Sequence, residues 1–204
     1  MIDKKTYELM KKKYRRHGSW AVWCLPNGTP KSNTSNMDWI NNKALLSILN
    51  TGFVFVGLNW SSHKTNPSRN EAWANFHSSD NQKQNDFKLR FALMGTKYWG
   101  SYITDLIKNY KETNSEAVAK CLRQNPGVVD KNVKSFVAEI AHLGNDPVLV
   151  ALGDKVYALL KKHLGQRFKV VKVKHYSSWI GKEEYRKEVL GVLGRIRIKS
   201  EEVW

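Results

Sequence analysis

Four short apolar runs rich in β-branched and aromatic residues recur along the chain: FVFVGL at 53–58, SYITDLI at 101–107, VLVAL at 148–152 and FKVVKVK at 168–174. Longer segments of helical spacing fill the intervals, at 83–95, 115–124, 131–143, 154–164 and 182–194. This alternation constrains the fold more than any other feature. Near-continuous apolar strands need cover on both faces, which parallel strands joined by crossover helices provide. The expectation is an α/β protein of three layers, α/β/α, with a central four-stranded parallel sheet. Such folds bind ligands beyond the carboxyl ends of their strands, so the chemistry is sought there.

Ahead of this core, residues 3–16 read as a charged helix and Ser19–Leu25 as an aromatic-rich strand. A polar loop covers 26–37, and 38–50 has helical spacing with Asp38 as its expected N-cap. The 204 residues suit one domain, with 1–50 as an extension packed on the core. No internal repeat or low-complexity segment interrupts it.

The charge balance points to a partner. Thirty-four Lys and Arg face 18 Asp and Glu, a net charge of +16. Such a field attracts polyanions and makes their encounter salt-dependent. The basic residues are spread through folded-looking segments, with local runs KKKYRR at 11–16 and KKHLGQRFKVVKVK at 161–174, so nucleic acid is the expected ligand class. The two cysteines, Cys24 and Cys121, lie far apart and imply neither a disulfide framework nor a Cys-rich metal site. His63, His77 and Asp80 lack a recognised ligand spacing, so no metal is expected. There is no G-x-S-x-G elbow and no phosphate-loop lysine motif, and Gly191-x-x-Gly194 falls inside a helical pattern. With no apolar run of membrane-spanning length and no signal-like N-terminus, a cytoplasmic, soluble and monomeric protein without cofactors is expected.

The four strand ends carry, in order, Gly57-Leu58-Asn59-Trp60-Ser61-Ser62, then Thr104-Asp105, then Gly153-Asp154, then His175-Tyr176-Ser177-Ser178-Trp179. A parallel sheet gathers them on one edge. Each has an ordinary reading as well. Asn59 is a common turn residue after a strand, and Asp105 suits an ion pair with Lys108. Asp154 suits the N-cap of a helix starting near Lys155, and Trp73, Phe76 and Trp99 suit a core.

The first and last of these ends also carry a resemblance. GLNWSS at 57–62 resembles the first motif of the uracil-DNA glycosylase superfamily, in its Gly-x-Asn-Pro-Gly form, and HYSSW at 175–179 resembles that superfamily's His-Pro-Ser second motif. Their order along the α/β alternation matches too, over roughly residues 50–190. Trp60 and Ser61 replace the motif's proline and glycine, and Tyr176 replaces the second motif's proline. Asn59 stands where the most active branch carries a water-activating Asp, and Asp105 falls where relatives read the base with Asn.

The resemblance implies a DNA glycosylase that flips out an altered base and hydrolyses its N-glycosidic bond. It implies Asn59 for holding the attacking water and His175 for donating a hydrogen bond to the departing base. Gly57, Leu58, Trp60 and Asp105 would contact the base, with Trp73 or Phe76 stacking on it. Ser61, Ser62, Ser177, Ser178 and Lys182 would meet the DNA backbone, and Trp179 or Ile180 would fill the space the base leaves. Asp105, an acceptor when ionised, suits a base that presents an amino group. Two readings without this catalysis keep the same fold: a DNA-binding, base-sensing module, and a binder of small nucleosides or nucleotides.

Overall fold

The computed structural model of the chain describes residues 2–60, 71–77, 85–108, 110, 112, 114–144 and 146–196. Ser61, Ser62, His63 and Asp80 lie outside the described residues.

Five strands form one sheet in the order β1-β3-β2-β4-β5: β1 Gly18–Trp20, β2 Asn50–Asn59, β3 Ser101–Ile107, β4 Val148–Leu152 and β5 Val170–Val173. The last four are parallel, as expected. The four-stranded expectation is corrected at one edge. There Gly18, Ser19 and Trp20 pair antiparallel with Thr104, Ile103 and Tyr102, making the sheet five-stranded and mixed. The aromatic stretch 19–25 thus contributes a shorter strand than its composition implies. Gly18 is what permits the close pairing, because a Cβ there would strike the Tyr102 hydroxyl.

Side-chain alternation along β2 explains the layers. Val54 and Val56 join one buried cluster while Phe53 and Phe55 join the other, on opposite faces of the sheet. The first face is covered by α1 (Lys4–Tyr14), α4 (Ser115–Gln124), α5 (Pro126–Ile140) and α6 (Asp154–Leu164), which contribute Met10, Val118, Phe136 and Leu160. The second is covered by α3 (Asp86–Leu93) and α7 (Lys182–Leu193), through Leu89, Leu93, Tyr185 and Val189. Both faces of the sheet are therefore dry, as the apolar runs require.

Local chemistry accounts for the other departures. The helix expected over 38–50 breaks into a 3-10 turn, Asp38–Asn41, and a four-residue helix α2, Leu45–Ile48. At the break the Asn42 Oδ1 accepts from the Ala44 N–H at 2.8 Å, offering the backbone a local bond in place of the helical one. The cap of the 3-10 turn is Met37, and Asp38 sits inside its first turn. The helix expected from 131 begins earlier, at Pro126, whose fixed φ and missing N–H suit a first helical position. Asp154 is likewise the first residue of α6 and not its cap. Gly153, at φ +104°, takes the cap position, and the Asp154 carboxylate accepts from Lys172 at 2.5 Å.

Two buried polar networks fix the layers. Glu139 on α5 accepts from the Tyr102 and Thr104 hydroxyls at 2.8 Å each and pairs with Lys108 at 2.7 Å, tying α5 to β3. Arg90 on α3 is only 2% exposed and donates to the carbonyls of Cys24, Ser32 and Pro30. That clamp orders the polar loop, which composition alone would leave loose.

Candidate functional site

The chain leaves β2 for β3 on one side and crosses to β4 on the other, so the strand order reverses beside the carboxyl end of β2. In open α/β sheets this is where a crevice forms.

Gly57 ends the fully buried part of β2, and its register partner on β3 is Asp105. The two residue types need each other. A Cβ on Gly57 would collide with the Asp105 Oδ1 and come within 3.5 Å of the Phe76 ring. Asp105 is 4% exposed, and its Oδ2 accepts from the Asn75 Nδ2 at 3.1 Å. The expected ion pair with Lys108 is not made by this carboxylate. The Lys108 ammonium turns to Glu139 and donates at 2.7 Å to the Asp105 main-chain carbonyl.

Two residues further on, Asn59 aligns with Ile107. Its Nδ2 donates to the carbonyls of Glu112 at 2.7 Å and Tyr110 at 3.3 Å. Both amide hydrogens are thereby used, which fixes the side chain and leaves Oδ1 as its accepting atom. Leu58 packs at the edge of the larger core cluster. Trp60 continues the β2 ladder by donating its N–H to the Ile107 carbonyl at 3.1 Å and packs edge-on against His17, centroids 4.8 Å apart.

The two aromatics proposed for stacking go to different places. Trp73 is fully buried, donates from Nε1 to the Tyr7 hydroxyl at 3.0 Å and packs against Trp20 and Tyr102, so it belongs to the core. Phe76 is partly exposed and lies by Gly57, its ring 3.5 Å from where a Cβ there would sit. Both have positive φ, +68° and +66°, a costly backbone for side-chain-bearing residues that the surrounding packing must hold.

Beyond β4 on the same edge of the sheet, β5 runs into the turn 175–180. The His175 Nδ1 accepts from the Ser177 N–H at 3.1 Å, which places the proton of the neutral ring on Nε2. Burial lowers the imidazole from 6.5 to about 4, so this neutral form prevails at pH 7. The ring stacks on Tyr176 with centroids 4.3 Å apart and planes 29° from parallel, and its Cβ lies 3.6 Å from the position a Cβ on Gly153 would take. Burial raises the Tyr176 phenol well above its usual range, and the carboxylates of Asp86, at the start of α3, and Asp105 push it in the same direction.

The Ser177 and Ser178 N–H groups are spent inside the turn, on His175 Nδ1 and on the His175 carbonyl, leaving their hydroxyls for any outside contact. Trp179 is fully exposed, while Ile180 is partly covered by the smaller core cluster. Lys182 pairs with Glu183 at 2.5 Å and lies 4.4 Å over the Phe91 ring.

Gly57, Phe76 and Asp105 thus come together directly, Asn59 caps the same strand, and His175 and Trp179 occupy the turn after β5. Trp73 stands apart from them. Asn75 and Asp86 were missed in the sequence. Asn75 sits in a stretch that reads as aromatic packing, and Asp86 reads as an ordinary first-turn acid. His77 lies in the core between Trp23 and Trp39, its Nε2 2.8 Å from the Ser19 hydroxyl. Among the described residues no three His, Cys, Asp or Glu side chains converge as metal ligands, and no helix is long and apolar enough to cross a membrane. An open concavity of about 500 Å³ lies at the other end of β2, lined by Ile48, Asn50, Gly52, Thr96, Lys97 and Trp99. It lacks the convergent buried polar groups of the carboxyl edge.

No protein-family model, curated protein or solved structure matches this chain.

Proposed function

We propose that the chain is a uracil-DNA glycosylase-like enzyme, a monofunctional DNA glycosylase that extracts an altered base and hydrolyses its N-glycosidic bond. The observation that carries this reading is His175. It is a neutral imidazole with its proton on Nε2, set at a strand's carboxyl end in a turn that also projects a fully exposed Trp179. Glycosidic cleavage places negative charge on the departing base, and a preorganised neutral donor stabilises that charge without a proton transfer. Asn59 supports the assignment, because its hydrogens are committed to main-chain carbonyls and its Oδ1 is left to orient a water. An amide orients water and hardly deprotonates it, which suits a reaction whose bond breaking runs ahead of attack. Trp179 is a wedge for the vacated stack, and the net charge of +16 draws the protein to the phosphates. Asp105, beside Phe76, makes a base with an amino edge the better substrate.

A second reading, a base-sensing DNA-binding module, draws on a specific observation. The Asn59 amide braces the Tyr110 and Glu112 carbonyls and the Asp105 carboxylate is engaged by Asn75, so both groups carry structural duties. Single-turnover incubation with oligonucleotides bearing a panel of altered bases, followed by alkaline cleavage, separates the two. The glycosylase reading expects strand breaks at one class of base. Tight, salt-sensitive binding with no breaks favours the module, and binding almost indifferent to salt favours a small-nucleoside site.

A further inference from the structure

The turn HYSSW contains no proline, so its rigidity has to come from contacts. Two arise on different elements. The Tyr176 ring covers a face of the His175 imidazole at 4.3 Å. From α3, Lys88 Nζ donates to the Ser178 carbonyl at 3.0 Å, gripping the turn one residue beyond the N–H that fixes the His175 tautomer. The helix itself is held in place. Arg186 on α7 donates to the carbonyls of Phe91, Ala92 and Met94, closing the C-terminal end of α3, and Arg90 anchors its other face to the loop at 24–32. The phenol of Tyr176 lies in the field of Asp86 from α3, Asp105 from β3 and Tyr185 from α7, while Glu188 of α7 accepts from the Lys174 N–H at 3.1 Å.

We propose that Tyr176 and Lys88 are positioning residues for His175, holding its ring in one orientation and one tautomer from two separate elements. Tyr176 acts by covering the imidazole face and keeping water from it. Lys88 acts by holding the Ser177–Ser178 backbone where its N–H meets Nδ1. The consequence for catalysis rests on the reading of His175 as donor to the departing base. The positioning itself can be read without any reaction.

The test is a long-range proton–nitrogen correlation spectrum of the nitrogen-15-labelled full chain at pH 7, with His175 assigned by its loss in His175→Gln. Wild type is expected to give distinct signals for an unprotonated Nδ1 and a protonated Nε2, and a titration near 4. Tyr176→Leu is expected to average the two nitrogens and move the titration toward 6.5, whereas Tyr176→Phe, which keeps the stacked ring, should preserve both. Lys88→Met, which keeps the stem and removes the donor, should broaden or average the same pair and decides the role of Lys88, and Tyr176→Met takes the place of Tyr176→Leu if the latter does not fold. A His175 that keeps its wild-type tautomer and titration in Tyr176→Leu or in Lys88→Met overturns the role of that residue. If excision occurs, Tyr176→Leu should slow the single-turnover step about tenfold or more with little change in DNA affinity. Absence of excision in the wild type defeats the glycosylase reading and leaves the spectroscopic result standing.

Discussion

The two strand ends that form the candidate site are built in opposite ways. At the ends of β2 and β3 the side chains engage the protein itself: Gly57 makes room for the Asp105 carboxylate, Asn75 donates to it, and Asn59 is bound to the Tyr110 and Glu112 carbonyls. At the end of β5 the turn is held by its own backbone and by Lys88, and it pushes Trp179 into solvent. One half behaves as core with polar groups in it, and the other as a surface device. The contrast teaches that the same substitution chemistry should read out as stability at the first end and as ligand affinity at the second.

Gly57→Ala should break the comparison hardest. Its new Cβ must displace a buried carboxylate, so a loss of about 3 kcal/mol is expected, at the upper end of overpacking costs. The urea midpoint measures it. In a double-mutant cycle, Asp105→Ala should recover part of the loss, and strict additivity would mean that the two residues do not meet.

Acid conditions sharpen the contrast between a core histidine and a turn histidine. His77 is lowered from 6.5 to about 3 by burial, so the unfolded chain binds its proton first. The stability it contributes is complete above pH 6.5 and is lost as pH falls from there toward 3. At pH 5 the loss amounts to about 2 kcal/mol for this one group. His77→Gln should flatten the stability profile over that window, seen in urea midpoints at a series of pH values. An unchanged slope would contradict the buried neutral ring.

Asn59→Asp should follow. Facing a carboxylate toward the Tyr110 and Glu112 carbonyls removes two donated bonds and costs about 1–2 kcal/mol, measured by thermal unfolding. Trp179→Ala should move stability least, by no more than about 0.5 kcal/mol, because the ring is fully exposed. It should nevertheless weaken DNA binding by about 1–2 kcal/mol, the scale of one stacked base, in a fluorescence titration. A stability loss without an affinity loss would reverse the assignment of this turn.

What was legible in the sequence follows the same divide. The four parallel strands could be read because an apolar run covered on both faces leaves a strong local signature. The strand at 19–25 could be read from its aromatic residues, but its start at Gly18, its short length and its antiparallel place at the sheet's edge could not, since the pairing depends on fitting against Tyr102. Gly57, Asn59, Asp105 and His175 could be singled out as candidates because they stand at strand ends, where an α/β sheet gathers its polar groups. Whether an aromatic stacks or packs was not written locally. Trp73 and Phe76 lie three residues apart with similar backbone strain, and only the partners Tyr7 and Trp20 draw one of them into the core. Asn75, Asp86 and Lys88 act across long stretches of sequence, on Asp105, Tyr176 and Ser178, so their roles emerge only with the fold.

The central claim is that Asn59 and His175 cooperate in base excision. Its most direct test is single-turnover release of an abasic product by wild type, Asn59→Ala and His175→Ala, on whichever altered base the wild type acts upon, with each variant first shown to be folded and to bind the same DNA. The account predicts abasic product from the wild type and its loss, by about a hundredfold or more, in both variants. Full activity in both variants, or no product from the wild type on any altered base, would contradict it.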